Sequence, residues 1–184
     1  MNRIDQLLAN YRSHIQMPLR PNLPTSQRVW FAVYAPEEER RLANRVLEFE
    51  LATTEAGHPW VRIDLKGGLA RWLGSIDESE RPQWWKNPGD IDLYAKTEWK
   101  ALLAAFFRQE VARAAAPERT VFALTGLMEL YDFLHASELI DALEPAFPGF
   151  LLVFFPGVKE GNTYRFLDAR TGWNYLALPI LSEK

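Results

Sequence analysis

A glycine-containing segment that follows an apolar run is the first place in this chain where phosphate chemistry is conceivable. Residues 157–163 read GVKEGNT, with two glycines and a threonine. A nucleotide-binding phosphate loop needs four residues between its glycines, a lysine after the second glycine and then a helix. Here three residues separate the glycines, Asn162 stands in place of the lysine, and the residues from Tyr164 onward have strand character. The sequence therefore predicts a surface turn, with a binding loop at the end of a strand as the alternative.

Histidines, serines and cysteines give little support for metal or hydrolytic chemistry. His14, His58 and His135 lie far apart, and none has a histidine–carboxylate spacing typical of metal ligands. No Gly-x-Ser-x-Gly nucleophile motif is present, and the absence of cysteine removes thiol nucleophiles, thiolate zinc sites and disulfides. A magnesium site made only of carboxylates stays open. The sequence predicts a chain without a catalytic residue, a cofactor or a metal centre of its own.

Two adjacent tryptophans are candidate anchors for a protein partner. Trp84 and Trp85 lie within residues 77–90, a stretch with two prolines and a glycine that is predicted to be irregular. In extended backbone, consecutive side chains point in opposite directions, so one of the two is expected to face away from the core. Half-buried packing is the alternative. Stacking of single-stranded bases would need interleaved basic residues, and only Arg81 and Lys86 supply them.

The composition is that of one globular domain with a sizeable core. The chain has 184 residues, of which 48% are hydrophobic and 13% aromatic. Its net charge of -3 gives no general attraction to nucleic acid. A local basic stretch does occur between Arg3 and Arg28, where any polyanion contact would begin. The polar N-terminus and the lack of a long apolar run predict no membrane segment and a cytoplasmic location.

Apolar runs alternate with helical patterns along the chain. Strands are predicted at residues 29–34, 60–65, 120–125 and 150–155. This alternation predicts a single three-layer α/β domain with a mostly parallel sheet, and the wholly apolar fourth strand is expected at its centre. The first strand, helix and second strand favour direct parallel pairing of those two strands.

Both ends of the chain differ from this pattern. Residues 3–16 have helical amphipathic spacing and lead into a proline-rich connection, so residues 1–27 are predicted as an N-terminal helix with its linker and residues 28–184 as the α/β domain. The helix is expected to dock on its own domain or on a partner. Residues 164–169 and 173–178 both have strand character and predict a C-terminal antiparallel hairpin at the sheet edge.

Several segments together resemble the BrxB-like small proteins of BREX bacteriophage-exclusion systems. The matching segments are RVWFAVY (28–34), EFELAT (48–53), GH (57–58), LVFFPG (152–157), GN (161–162), YR (164–165), LDAR (167–170) and GWNYLA (172–177). The resemblance spans nearly the whole chain and is weakest over residues 76–96.

The resemblance implies a component of an antiviral system that also contains a PglZ-type protein with an alkaline-phosphatase fold, a DNA methyltransferase and a large ATPase. It implies direct, non-enzymatic association with the PglZ-type protein and supplies no catalytic residues. A nucleotide- or nucleic-acid-binding accessory module that uses the loops at the carboxyl ends of the strands is the alternative, and a divergent hydrolase is a third. The expected partner-binding residues are Trp84, Trp85, Pro156, Gly157, Lys159, Glu160, Asn162, Arg165, Arg170 and Trp173.

Overall fold

The computed structural model describes residues 2–130, 133–143, 147–167 and 173–182, and for residues 81, 84, 85, 173 and 174 it describes the backbone alone. The helices are α1 (Arg3–Ile15), α2 (Glu39–Ala43), α3 (Val46–Glu55), α4 (Gly68–Ser75), α5 (Arg81–Lys86), α6 (Gly89–Tyr94), α7 (Lys100–Ala114) and α8 (Ala136–Leu143). The strands are β1 (Val29–Tyr34), β2 (Trp60–Asp64), β3 (Val121–Thr125), β4 (Phe150–Glu160), β5 (Thr163–Phe166), β6 (Trp173–Asn174) and β7 (Leu178–Leu181). A π-helical turn, Ala95–Trp99, joins α6 to α7.

Five strands form a parallel sheet in the order β2-β3-β4-β1-β7. The central position of β4 confirms the prediction from its apolar run. The predicted direct pairing of β1 with β2 is wrong, because β3 and β4 lie between them. The physical reason is composition: β1 is buried along its whole length, whereas Arg62 and Asp64 give β2 a polar face that is tolerated at an edge of the sheet.

Successive side chains of the central strands point into two separate cores. On one face, Trp30 and Phe154 pack with residues of α1 and α3. On the other face, Phe31 and Phe155 pack with residues of α4, α7 and α8. Because the strands carry apolar side chains in both directions, each face needs its own helical layer. The structure therefore shows the predicted three-layer α/β domain.

The N-terminal helix α1 is part of this domain. Its apolar stripe is fully or almost fully buried and consists of Ile4, Leu7, Leu8, Tyr11 and Ile15. The stripe packs on α3, β1 and β7. Asn2 and Asp5 form a reciprocal capping box at the start of the helix, and the Asn10 amide donates to the Leu181 carbonyl oxygen at 2.7 Å. The sequence left open whether this helix docks on its own domain or on a partner, and in the structure it docks on its own domain.

The stretch predicted to be irregular, residues 77–90, is mostly helical. Helix α5 carries a proline in its first turn, where the missing backbone N–H would have no helical acceptor. Helix α6 begins at Gly89. The backbone of Trp84 and Trp85 is therefore helical, and the prediction of extended backbone at these two residues is wrong.

The C-terminal third confirms the predicted hairpin in part. The segment predicted as a surface turn, residues 157–163, instead continues β4 as far as Glu160 and begins β5 at Thr163, and only Gly161 and Asn162 form the turn between them. The strand β5 pairs antiparallel with β4 and with the short β6. Residues 168–172 lie outside the described part of the chain. The last strand, Leu178–Leu181, runs parallel to β1 as the edge of the main sheet.

Candidate functional site

The central strand β4 continues beyond the parallel sheet and turns back as an antiparallel hairpin. We call residues 157–166 the hairpin. Gly157 pairs with Phe166 at its base and Glu160 with Thr163 at its tip. Gly161 has a φ of +56° in the two-residue turn, which suits a glycine at the first central position of a type II′ turn. The strand following this turn agrees with the rejection of a phosphate loop.

A glycine at position 157 lets the two strands of the hairpin approach each other. A Cβ placed there would lie 2.1 Å from the carbonyl oxygen of Arg165 and 2.7 Å from the Phe155 ring. Backbone cannot yield as a flexible side chain can, so no larger residue fits without opening the pair. Pro156 and Gly157 are both buried. Neither residue therefore offers an exposed side chain for contact with a partner.

The inner face of the hairpin is anchored in the core. Tyr164 and Phe166 are buried, and Tyr164 packs edge-on against Phe31 at 4.7 Å between ring centroids. The Tyr164 hydroxyl donates to the Ala177 carbonyl oxygen at 2.9 Å, and burial raises the pKa of Tyr164 to about 12. The Lys159 ammonium lies 6.0 Å from the Tyr164 ring centroid. This anchoring holds the hairpin in one orientation.

The outer face of the hairpin is open to solvent. Val158 lies opposite Arg165 and Glu160 lies opposite Thr163, so all four side chains share this face. Arg165 donates to the Glu160 carboxylate at 2.6 Å, and Val158 is 37% exposed. The face therefore combines an exposed branched apolar side chain with an ion pair. Val158 was not among the residues predicted for partner binding, although it lies between residues that were.

The structure places part of the predicted partner-binding set in the hairpin. Lys159, Glu160, Asn162 and Arg165 all belong to the hairpin, with Lys159 also donating to the Gly161 carbonyl oxygen at 2.5 Å. Trp173 belongs to β6, where its backbone pairs with that of Tyr164 in β5. Arg170 lies outside the described residues. Trp84 and Trp85 belong to α5, a helix that packs on α6.

A cleft of about 930 Å³ opens at the carboxyl ends of the strands, on the face covered by α2 and α3. Its lining comes from α2, from the ends of β1, β2 and β3, and from the segments that follow β2 and β3. Parallel sheets commonly hold ligands at this edge, where connections leave toward opposite faces. Tyr34 lines this cleft and also a groove beside Val158, so the cleft and the outer face of the hairpin adjoin each other.

A polar network forms the floor of the cleft at the end of β2. Arg62 donates through Nη2 to Asp64 at 3.0 Å and through Nε to Thr125 Oγ1 at 3.3 Å. The other oxygen of Asp64 accepts from the Lys66 backbone N–H at 3.1 Å. Gly126 borders this network with a φ of +77°, and a Cβ there would lie 2.7 Å from Asp64 Oδ1. A side chain at position 126 would therefore press on this network.

The opposite wall of the cleft carries a second polar pair. The Tyr34 hydroxyl donates to the Glu39 carboxylate. Burial of the phenol, followed by the nearby negative charge of Glu39, raises the pKa of Tyr34 above its ordinary value. The hydroxyl therefore stays protonated and remains a hydrogen-bond donor. Neither this pair nor the Arg62 network was predicted, although polar residues alternating with Val61 and Ile63 in β2 were an available signal.

The N-terminal basic residues are largely engaged within the domain. Arg28 donates to the carbonyl oxygens of Gly149 at 2.5 Å and Leu23 at 3.2 Å. Arg12 donates to Glu55 at 3.4 Å on the adjacent helix α3. These contacts hold the arginines against the domain rather than on a free arm.

No group of three or more potential metal-ligating side chains occurs within the described residues. The helices of the described segments include none that combines the length and the apolar character needed to cross a bilayer. Comparison of the chain with protein-family models, with curated proteins and with solved structures gives no match.

Proposed function

We propose that this chain is a non-enzymatic, protein-binding component of a BREX-type antiviral defence complex, and that it docks on the PglZ-type protein through the outer face of the hairpin. In this proposal the chain works in the cytoplasm, in keeping with its lack of cysteine. The observation that carries the proposal is the extension of the central strand into a hairpin that is anchored on one face and exposed on the other.

Anchoring is what makes the hairpin suited to recognition. A binding surface that is already ordered loses little conformational entropy when a partner docks, so more of the contact energy appears as affinity. Tyr164 and Phe166 provide that order from beneath, because both are buried in the core. A free loop of the same length would first have to be fixed in place.

The chemistry of the outer face also favours a protein partner. Val158 supplies exposed apolar surface, and Arg165 is a residue type enriched at the centres of protein interfaces. A stable interface buries roughly 800 Å² on each partner, more than the hairpin alone presents. The groove beside Val158, lined in part by Arg3, Ala35 and Ser182, extends the surface toward α1.

Co-expression with the PglZ-type protein tests this proposal. A tagged copy of the chain is expected to retain that protein through affinity purification and to elute with it as one complex in size-exclusion chromatography. The DNA methyltransferase of the same system, co-expressed in a parallel culture, is the control for nonspecific retention. Separate elution of the chain and the PglZ-type protein at micromolar concentrations contradicts the proposal.

The alternative of nucleic-acid binding has less support. It would draw on the loops at the carboxyl ends of the strands or on the N-terminal arginines, of which Arg12 and Arg28 already have partners within the domain. Electrophoretic mobility shifts with duplex and single-stranded DNA at about 50 mM and 200 mM salt distinguish the two cases, since phosphate contacts make affinity fall steeply with salt. Binding that depends on salt in this way would favour the alternative.

A further inference from the structure

The cleft at the carboxyl ends of the strands is lined by both acids and bases, and the two kinds of side chain differ in how far they are hydrogen-bonded within the described residues. Seven charged side chains line it, and the acids among them are Glu37, Glu39, Asp64 and Glu129. Every one of these carboxylates has an internal partner. Glu39 accepts from Tyr34, Asp64 from Arg62 and the Lys66 backbone, Glu129 from the Leu69 backbone, and Glu37 lies 4.0 Å from Arg3.

The cations of the cleft are less fully hydrogen-bonded within the described residues than its carboxylates are. The side chains of Arg40 and Lys66 are exposed and make no hydrogen bond or ion pair with any described residue. Arg62 uses Nε and Nη2 within the polar network, and its Nη1 has no acceptor in the described part of the chain. The four acids and three bases give the lining a formal charge of -1, because hydrogen bonds from the Tyr34 hydroxyl and the Leu69 N–H leave Glu39 and Glu129 charged. The charged groups that still have unused hydrogen-bond donors are nevertheless the three cations.

Apolar side chains complete the lining. Leu69 and Met128 are partly exposed at the mouth of the cleft, and Phe154 lies at its base. Ligand pockets typically occupy about 300–1,000 Å³ and pair a mainly apolar lining with a few oriented polar groups. The volume of about 930 Å³ is ample for a molecule that has both a ring and a charged group.

We propose that this cleft binds an organic phosphate of about mononucleotide size, with its phosphate held by Arg40, Arg62 and Lys66 and its ring against Leu69 and Met128. Several cations contributed by different elements suit a phosphate dianion, because its oxygens accept hydrogen bonds in several directions. This inference rests on the cleft alone and does not depend on the proposed association with a PglZ-type protein.

Titration of the full chain with adenosine monophosphate, adenosine and inorganic phosphate tests the inference. Calorimetry is expected to give saturable binding of the monophosphate with a Kd of about 1 mM or tighter. Adenosine and inorganic phosphate are each expected to bind at least about tenfold more weakly, since each lacks one of the two parts that the cleft recognises. Amide chemical shifts of Lys66 and Gly126 are expected to move on binding, because both backbones border the floor.

A pair of double variants separates a built site from general electrostatic attraction. Arg40→Ala with Lys66→Ala is expected to weaken monophosphate binding at least about tenfold. Lys96→Ala with Arg108→Ala removes the same charge at exposed positions outside the cleft and is expected to change affinity less than about twofold. The inference is overturned by no saturable binding up to about 10 mM, by equal weakening in the two double variants, or by inorganic phosphate binding as tightly as the monophosphate.

Discussion

At the scale of single residues, one buried hydroxyl pair joins the N-terminal helix to the domain. The Tyr11 hydroxyl lies 2.5 Å from Thr53 Oγ1, which in turn donates to the Phe49 carbonyl oxygen at 2.7 Å. Tyr11 and Thr53 are both fully buried. Buried polar groups are costly when they lose a partner, so the two members of this pair are not equivalent.

Thr53→Val is expected to destabilise the protein more than Tyr11→Phe does. The valine leaves the buried Tyr11 hydroxyl without an acceptor, which costs about 1–3 kcal/mol, whereas Thr53 keeps the Phe49 carbonyl oxygen when the phenol oxygen is removed. Urea unfolding followed by circular dichroism measures the difference. Equal losses, or a larger loss for Tyr11→Phe, would show that the pair does not act as described.

His14 makes the stability of the domain depend on pH. Its ring packs edge-on against Trp30 at 4.5 Å, and burial lowers the pKa of the imidazole below its ordinary value. The unfolded chain therefore binds a proton at a higher pH than the folded chain does. As pH falls through the ordinary range near 6.5, proton uptake favours unfolding.

The free energy of unfolding is accordingly expected to decrease between pH 7.5 and 5.5, by at most about 1.4 kcal/mol per pH unit for each such histidine. His58 adds to the slope, because burial and then the nearby Arg119 lower its pKa. Urea midpoints at a series of pH values measure the slope. The account predicts a smaller slope for His14→Phe, and an unchanged slope in that variant would remove His14 as a cause.

At the scale of secondary-structure elements, the hairpin depends on one close backbone approach. Gly157→Ala would place a methyl group 2.1 Å from the Arg165 carbonyl oxygen, so β4 and β5 must separate. A loss of about 1–3 kcal/mol is expected. Gly74→Ala is the matched control, since it lies in α4 with nothing within 4 Å, and there alanine is expected to stabilise by up to about 1 kcal/mol. Thermal unfolding compares the two, and an unchanged Tm for Gly157→Ala would contradict the described packing.

The sequence predicted the main elements of the fold because their hydrophobic periods are strong. The apolar run of β4 indicates the centre of the sheet, and the stripe of α1 indicates an amphipathic helix, although the stripe left open whether that helix docks on its own domain or on a partner. The failures arose where local signals were ambiguous. Pro156 and Gly157 suggested the end of a strand, yet the antiparallel partner β5 lets β4 continue through them. Similarly, Pro82 suggested irregular backbone but occupies a first helical turn, where proline is tolerated.

The candidate sites were predictable only in part. The hairpin residues are close in sequence, so motif reasoning found Lys159, Glu160, Asn162 and Arg165 together. The cleft combines residues from α2, β2 and the segment after β3, and strand order alone brings these together. Because β2 was expected beside β1, the meeting of Asp64 with Thr125 and Gly126 could not be inferred beforehand.

At the scale of the whole molecule, the fold separates two kinds of surface at one edge. The hairpin rises from the central strand and offers an exposed apolar and charged face, while the cleft beside it offers uncommitted cations. The two adjoin through Tyr34, which lines the cleft and the groove beside Val158. Variants on the hairpin face and variants in the cleft therefore test the two proposals separately.

The affinity of Val158→Glu for the purified PglZ-type protein tests the central claim most directly. Replacing the exposed apolar side chain of this face by a carboxylate is expected to weaken binding at least about tenfold, while a surface substitution of this kind changes folding stability by less than about 0.5 kcal/mol. Leu102→Glu on α7, where the native side chain is 40% exposed against 37% for Val158, is the matched control and is expected to bind like the unmodified chain. Titration calorimetry that gives the same Kd for both variants and the unmodified chain would contradict the account.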